Sequence, residues 1–192
     1  EIVVVADKHN HPDWIAADLL SQAEHDPTSQ SILFTDDAAF ADAVIAAVER
    51  IIPALATATT AQTSWAAYGA VVLVPTLEAA MPLVNALAPE HLELAVDNPD
   101  TLFAQVKHAG SVFLGRMTPE AIGDYVAGPN HVLPTGRRAR FSSGLSVTDF
   151  MKRTSFLSLD DAALAAIGPA AVTLAEAEGL PAHALSVAQR LA

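Results

Sequence analysis

The sequence contains no cysteine among its 192 residues. This absence excludes a disulfide framework, a thiol nucleophile, an iron–sulfur cluster and any zinc site built on thiolates. A metal ion would therefore have to be bound by histidine, carboxylate or amide groups. Basic residues are also scarce, with 10 Lys and Arg against 22 Asp and Glu and a net charge of −12. Because nucleic acids and anionic membranes both attract basic surfaces, we expect neither as the main partner.

Long apolar runs are missing as well, although the composition is that of a folding chain. Hydrophobic residues make up 52% and charged residues 17%, far from the composition of a disordered protein. No run reaches the roughly 18 residues that a membrane-spanning helix needs, so we expect a cytoplasmic protein. The sequence starts directly on a buried-strand pattern without an initiator Met or a signal sequence. This start predicts that the chain is a portion of a longer polypeptide.

Short β-branched runs alternate with Ala-rich amphipathic stretches in the first part of the chain. Apolar residues spaced three to four apart predict helices, and short continuous apolar runs predict strands buried on both faces. Strands that are each followed by a helix indicate an α/β fold, an incomplete Rossmann-like parallel sheet layered with helices. The predicted strands are residues 2–6, 31–35, 70–75, 92–96 and 111–114, and the predicted helices are residues 12–25, 37–52, 77–87 and 99–107.

The pattern changes towards the C-terminus. Residues 123–146 are rich in Gly, Pro, Asn and Ser and predict a long loop, and residues 160–178 and 181–191 predict two more helices. We therefore expect an α/β domain over residues 1–150 and a helical tail over residues 151–192. Two helices bury little apolar surface alone, so the tail should dock on this domain or on a second subunit. No predicted strand is followed by Gly-x-Gly-x-x-Gly, the fingerprint of dinucleotide binding.

Histidine side chains are the first candidates for metal binding and proton transfer in this chain. His9 and His11, in the turn after the first predicted strand, could form a metal-binding loop or simply an exposed polar turn. His108, at a predicted helix end, is explained by the helix dipole alone. Gln22 and His25 leave one face of a helix and could join a distant carboxylate in a zinc site, although most helices contain such pairs.

Other carboxylates and histidines lie in predicted turns and loops. Glu90 and His91 are adjacent and could offer one pocket two proton acceptors of different basicity, or be an ordinary helix-ending Glu and turn His. Asp124 and His131 lie in the Gly- and Asn-rich stretch, and loops of this composition often carry function. A further Glu and His begin and end residues 178–183, where solvated surface is the ordinary interpretation.

Six motifs follow one another along the chain in a recognisable order. They are Ser-Gln-Ala-Glu-His at 21–25, Pro-Glu-His-Leu at 89–92, Ala-Gly-Ser-Val-Phe-Leu-Gly at 109–115, Gly-Asp-Tyr-x-x-Gly-x-Asn-His-Val-Leu-Pro-Thr at 123–135, Ala-Arg-Phe-Ser-Ser-Gly-Leu at 139–145 and Glu-Gly-Leu-x-Ala-His at 178–183. In this order and spacing the chain resembles the histidinol dehydrogenase family from its first residue to its end. The resemblance implies a zinc- and NAD-dependent enzyme that oxidises L-histidinol through L-histidinaldehyde to L-histidine, in histidine biosynthesis.

The resemblance also implies roles for individual residues. His91 matches the family's proton shuttle, and Glu90 matches the base that activates water. The residues that match the zinc ligands are Gln22, His25, Asp124 and His183. The last of these reaches the site from the partner chain of a homodimer with shared active sites, because the C-terminal tail is swapped. The residues that match the substrate contacts are Gln22, His25, Glu90, His91, Asp124, Glu178 and His183, with His131 as a supporting pocket residue.

Part of the family's pattern is missing from this chain. Family members are longer, and their N-terminal part includes a second Rossmann-like domain with the NAD contacts. We therefore assign no NAD-binding residue and expect the chain alone to be inactive or nearly so. The family also has a substrate-contacting Ser immediately before the position that matches Glu1. The alternative hypothesis is a non-catalytic α/β module for metal binding or dimerisation that keeps these residues without turnover.

Overall fold

The computed structural model describes residues 1–192 as two compact units, Glu1–Asp149 and Phe150–Ala192. The strands of the first unit are β1 (Ile2–Ala6), β2 (Ser31–Thr35), β3 (Ala70–Leu73), β4 (His91–Ala95) and β5 (Ser111–Leu114). Its helices are α1 (Pro12–Ala23), α2 (Ala38–Ile51), α3 (Ala58–Tyr68), α4 (Leu77–Leu87), α5 (Pro99–Phe103) and α6 (Glu120–Tyr125). The second unit contains α7 (Asp161–Ala177) and α8 (Pro181–Leu191).

All five strands form one parallel sheet in the order β3-β2-β1-β4-β5. Val4 in the central strand pairs with Leu33 of β2 on one side and with Glu93 of β4 on the other. From β1 the chain runs outwards to β3 and then returns to start the other half of the sheet at β4. The order therefore reverses between β1 and β4, as in doubly wound folds. The predicted α/β fold with a parallel sheet is confirmed.

Both faces of the sheet are covered, which explains the continuous apolar runs. Val4 lies in a core formed with α1 and α2, while Val3 and Val5 point into a second core formed with α4 and α5. Each fully buried aliphatic side chain contributes about 1.5–3 kcal/mol to folding, so a strand such as β1 holds its position firmly. The sheet is thus a rigid base for the side chains that project from its edges.

Some predicted elements differ from those in the structure. Helix α3 was not predicted because its apolar residues follow no helical period, and only Ala61 and Ser64 of its side chains are buried. The predicted loop over 123–146 is wrong at its start, since α6 extends to Tyr125. Gly123 lowers the helix propensity of this segment, so the sequence does not indicate the helix. Glycine is needed at this position because a Cβ there would lie 2.6 Å from Cε1 of Phe113.

The ends of other helices and of two strands also shift. Helix α1 ends at Ala23, so His25 lies beyond it, and α5 ends at Phe103 rather than near residue 107. Strand β4 begins one residue early, which makes His91 its first residue. Strand β3 ends at Leu73, two residues before the predicted end. These shifts are small, but they place His91 on the sheet itself rather than in the preceding turn.

The second unit is a helical hairpin. Asp160 caps α7 by accepting a hydrogen bond from the backbone N–H of Ala163 at 2.7 Å. Gly179, with a φ of 72°, ends α7 in the left-handed conformation that favours glycine. Side chains of α8 contact Gly168 of α7, where a Cβ would lie 3.0 Å from Leu191. None of the helices in the structure combines the length and the apolar character that crossing a bilayer demands.

Candidate active site at the amino edge of the sheet

Predicted site residues of the first unit meet where the strands of the parallel sheet begin. His91 is the first residue of β4, and Glu90 directly precedes it. Helices that connect parallel strands run back towards the start of the next strand, so their C-terminal ends reach this edge. The last turns of α1 and α6 accordingly bring Gln22 and Asp124 to it. The fold therefore joins residues that are up to about 100 positions apart in the sequence.

His91 is the centre of the cluster and is only 3% exposed. Its Nδ1 lies 3.4 Å from Oε1 of Gln22, and its Nε2 lies 3.5 Å from Oε1 of Glu120. The imidazole stacks on His131 with ring centroids 5.4 Å apart. Burial lowers the pKa of His91 to about 4, because the protonated ring would lose its hydration. The ring is therefore neutral at pH 7, the form that accepts a proton or binds a metal.

Asp124 lies against the same cluster. One of its oxygens, Oδ1, is 2.7 Å from Nδ1 of His131. Ligand atoms of His91, Asp124 and His131 all lie within 4.8 Å of one another. Nε2 of His91 and Oδ1 of Asp124 are both buried without a well-formed hydrogen bond, and such atoms need a ligand or water to satisfy them. This nitrogen and oxygen donor set, together with the nearby Gln22, suits zinc.

The remaining predicted residues occupy different surroundings. His25 is exposed just after α1, yet its charge contributes to lowering the pKa of His91, so it lies within electrostatic range. Glu90 is half-buried, and its Oε2 lies 3.3 Å from the backbone nitrogen of Glu1. Glu178 and His183 belong to the second unit and line a groove between α7 and α8. The structural trio His91, Asp124 and His131 shares only Asp124 with the ligand set that the resemblance implies.

Three other histidines have structural surroundings. His9 and His11 are exposed in the turn after β1, where Nδ1 of His11 accepts a hydrogen bond from the backbone N–H of Asp13 and caps α1. His108 lies five residues past the end of α5, and its backbone N–H donates to Oδ1 of Asn85. The predicted helix-end position of His108 is therefore wrong, because α5 stops at Phe103.

Sequence reasoning missed three acidic residues beneath the cluster. They are Asp18, Glu93 and Glu120. Burial raises the pKa of Glu120 to about 7 and that of Asp18 to about 6, and it raises the pKa of Glu93 well above its usual range. Glu93 had a visible signal, since a lone acid stands between Leu92 and Leu94 in a strand that is buried on both faces.

The carboxyl edge of the sheet is closed by polar contacts. Arg116 forms ion pairs with Asp7, at 2.6 Å, and with Asp97, while Nδ2 of Asn10 donates to the carbonyl of Ala95 at 2.7 Å. Parallel sheets usually bind nucleotides at this edge, at the point where the strand order reverses. Here these side chains fill that point, and no Gly-rich loop follows β1.

Replacing Glu120 by Gln is expected to flatten the pH dependence of folding stability in metal-free protein. The folded-state pKa of Glu120 is about 7, against an ordinary value of 4.5. The native state thus holds a proton that the unfolded state has released, and this contribution to stability is lost as pH rises through about 7. Urea unfolding from about pH 5 to about pH 8 should show a smaller loss for Glu120→Gln than for wild type. An equal loss, or the same flattening in the exposed control Glu78→Gln, would contradict this interpretation.

Comparisons with known proteins agree with the fold and the motifs. A family model for histidinol dehydrogenase matches residues 1–191. Histidinol dehydrogenase of Zymomonas mobilis is 68% identical and histidinol dehydrogenase 1 of Trichormus variabilis is 64% identical, each over 100% of this chain. The crystal structure of histidinol dehydrogenase from Elizabethkingia anophelis matches 99% of the chain with a TM-score of 0.92 and 38% identity. In all three cases the chain spans 44% of the other protein's length. The chain therefore belongs to the histidinol dehydrogenase family and corresponds to a C-terminal portion of its members.

Proposed function

We propose that this chain supplies the metal site and the proton-transferring residues of a histidinol dehydrogenase. The enzyme would oxidise L-histidinol through L-histidinaldehyde to L-histidine with NAD as the oxidant. Family membership supports the reaction class. The observation that carries the proposal is the buried, neutral His91 near Asp124, since Nε2 of His91 and Oδ1 of Asp124 are both buried without a well-formed hydrogen bond. NAD would be bound by the N-terminal part that the longer relatives have, because the family resemblance puts the NAD contacts there.

Gln22, His25 and Asp124 would hold a zinc ion, with His183 from a second copy of the chain as the fourth ligand. Three neutral ligands and one carboxylate would leave the site with a net positive charge. A zinc ion bound there would orient the imidazole and amine of histidinol and stabilise an alkoxide. The half-buried Asp124 carboxylate supplies the only negative charge in this ligand set, and the chain contains no cysteine that could replace it.

His91 would accept the proton of the substrate alcohol. A neutral imidazole has a free electron pair on one ring nitrogen, and Nε2 of His91 has no well-formed hydrogen bond. The contact between Nδ1 and Oε1 of Gln22 favours the tautomer with the proton on Nδ1, which leaves Nε2 as the acceptor. The first oxidation thus needs one proton acceptor at the alcohol oxygen, while the hydride leaves from the carbon that bears this oxygen.

Glu90 would act in the second half of the reaction. Oxidation of an aldehyde to an acid requires a water molecule, which adds to the carbonyl carbon as its proton is removed. Glu90 is half-buried next to His91 and can receive this proton on its carboxylate. The hydrated aldehyde then loses a second hydride, so that two NAD are reduced for each histidinol. Two bases of different type fit a reaction with two chemically different proton transfers.

We also propose that the active form is a cytoplasmic homodimer with shared sites. Large apolar side chains are exposed just before and within the second unit's helices, with Phe156 91% and Leu157 86% exposed. Apolar groups of this size are usually covered in a stable assembly. Tail exchange would cover them and would bring Glu178 and His183 to the site of the partner. A monomeric protein that binds zinc with full affinity would contradict the shared site.

Assays on the complete polypeptide that contains this chain test the proposal. We expect NADH to form from histidinol, NAD and zinc, with two NADH and one histidine produced for each histidinol consumed. The chain alone is the control and should be inactive or nearly so. Zinc binding and dimerisation without any NADH would support the non-catalytic module instead. Absence of both zinc binding and turnover would reject the proposal altogether.

A further inference from the structure

Glu93 is a buried acid that lies outside the candidate site but contacts the elements that carry the site residues. It lies two residues after His91 on β4, so both side chains leave the same face of the sheet. Leu92 and Leu94 occupy the opposite face, in the core with α4. Glu93 is 3% exposed and carries a polar group into a region that α1 and α6 cover. A buried carboxyl is costly unless it forms specific hydrogen bonds, so its contacts need an explanation.

The main contact of Glu93 is with the first residue of α6. Its Oε1 accepts the backbone N–H of Glu120 at 2.6 Å. Pro119, at the preceding position, gives α6 no side-chain cap, so Glu93 replaces the missing cap from a different element. One turn later the same helix carries Asp124. A short helix with a single buried side chain depends strongly on such a contact for its position.

Two further observations extend this link to α1. Asp18 of α1 contributes to raising the pKa of Glu93, so the two carboxyls lie close together, and Ser21 Oγ donates to Oε2 of Glu120 at 3.1 Å. Glu93 and Glu120 therefore tie together three elements of the fold. These are α1, which carries Gln22, β4, which carries His91, and α6, which carries Asp124.

We infer that Glu93 is a positioning residue that holds α6 against β4 and thereby keeps Asp124 within reach of His91 and Gln22. The inference rests on the proposed function, because it assigns Glu93 to the support of the zinc site and not to proton transfer. Glu93 touches no substrate atom in this role. Residues that orient metal ligands typically change metal affinity by about 10- to 100-fold when they are removed.

Gln should replace Glu93 without loss in this role. An amide oxygen can accept the N–H of Glu120, and the amide NH2 can donate to Asp18 as a protonated carboxyl would. Burial raises the pKa of Glu93, which makes the neutral amide a close match to its state at pH 7. Met has a similar volume but no strong acceptor, so Glu93→Met removes the hydrogen bond without opening a cavity.

The test compares zinc affinity by chelator competition in the complete polypeptide. Glu93→Met, and Glu93→Ala as a second variant without the side-chain volume, should weaken zinc binding by about tenfold or more, while Glu93→Gln should keep it. The matched control is Asn10→Ala, since buried Asn10 holds the other end of β4 through the carbonyl of Ala95. We expect this control to lower the melting temperature and to leave zinc affinity unchanged.

The outcomes separate this inference from the proposed function. If wild type is active, normal zinc affinity in Glu93→Met and Glu93→Ala overturns the inference alone. The inference is also overturned if Glu93→Gln binds zinc as weakly as Glu93→Met does. Wild type without zinc binding or turnover overturns the proposed function. In that case amide exchange in zinc-free protein still tests the positioning, because Glu93→Met should speed exchange in residues 120–125 and Asn10→Ala should not. Equal exchange in both variants then overturns the inference.

Discussion

Replacing His91 by Asn is expected to lower kcat for histidinol oxidation by about 100- to 10,000-fold in the complete enzyme, the range that a positioned general base contributes. Asn keeps a polar group of similar size and can still contact Gln22, but its amide cannot accept the alcohol proton. Because the loss occurs in the chemical step, KM should change much less than kcat. Steady-state measurement of NADH formation gives both constants.

The exposed His9 offers a matched control for this substitution. His9→Asn makes the same chemical change in the turn after β1, at the opposite edge of the sheet. We expect normal kcat and KM from this variant. Should His91→Asn retain wild-type kcat while binding zinc normally, His91 would not be the proton acceptor. Its place in the trio with Asp124 and His131 would then favour a role in metal binding.

The sequence predicted those parts of the fold in which burial leaves a regular pattern. Strand β1 is covered on both faces and has five buried residues in succession, so the apolar run alone indicates it. Helix α3 packs through Ala61 and Ser64 only and leaves no such trace. Helix α6 has six residues including a glycine, and its position depends on contacts from β4 and α1 that no local pattern encodes.

The sequence predicted which residues belong to the candidate site, but it did not predict the burial and contacts of each residue. Motif resemblance named Gln22 and His91, but their contact joins positions 69 residues apart and arises from the sheet order. Burial sets the neutral state of His91, and burial depends on strand β5 and helix α6, which come later in the chain. Glu120 escaped sequence reasoning because an acid before a Gly-rich stretch is ordinary surface in most proteins.

The position of the cluster also has a physical reason. Helices α1 and α6 both end at the amino edge of the sheet, and a helix C-terminus carries a partial negative charge that favours a nearby cation. Gln22 and Asp124 lie in these last turns. The carboxyl edge, where anionic phosphates would meet helix N-termini, is instead filled by Arg116 with Asp7 and Asp97. The ends of these helices thus favour a cation near the cluster at the amino edge.

The carboxylate of Asp124 is expected to dominate metal affinity. Asp124→Ala should weaken zinc binding by more than about 100-fold, since even residues that only orient ligands cost about 10- to 100-fold. Asp124 is the one anionic member of the proposed ligand set, and its buried Oδ1 has no well-formed hydrogen bond to replace a metal bond. Asp124→Asn keeps an oxygen ligand without the charge, so its affinity should fall between those of wild type and Asp124→Ala.

Competition with a chelator of known affinity measures all three proteins, and zinc content after dialysis gives an independent check. Asp36→Ala serves as the control, because Asp36 is an exposed carboxylate at the opposite edge of the sheet and its loss changes net charge equally. A long-range charge effect would weaken zinc binding equally in Asp36→Ala and Asp124→Ala, whereas loss of a direct ligand would weaken it only in Asp124→Ala. Full zinc occupancy with unchanged affinity in Asp124→Ala would therefore remove Asp124 from the ligand set, and with it the metal site at this edge.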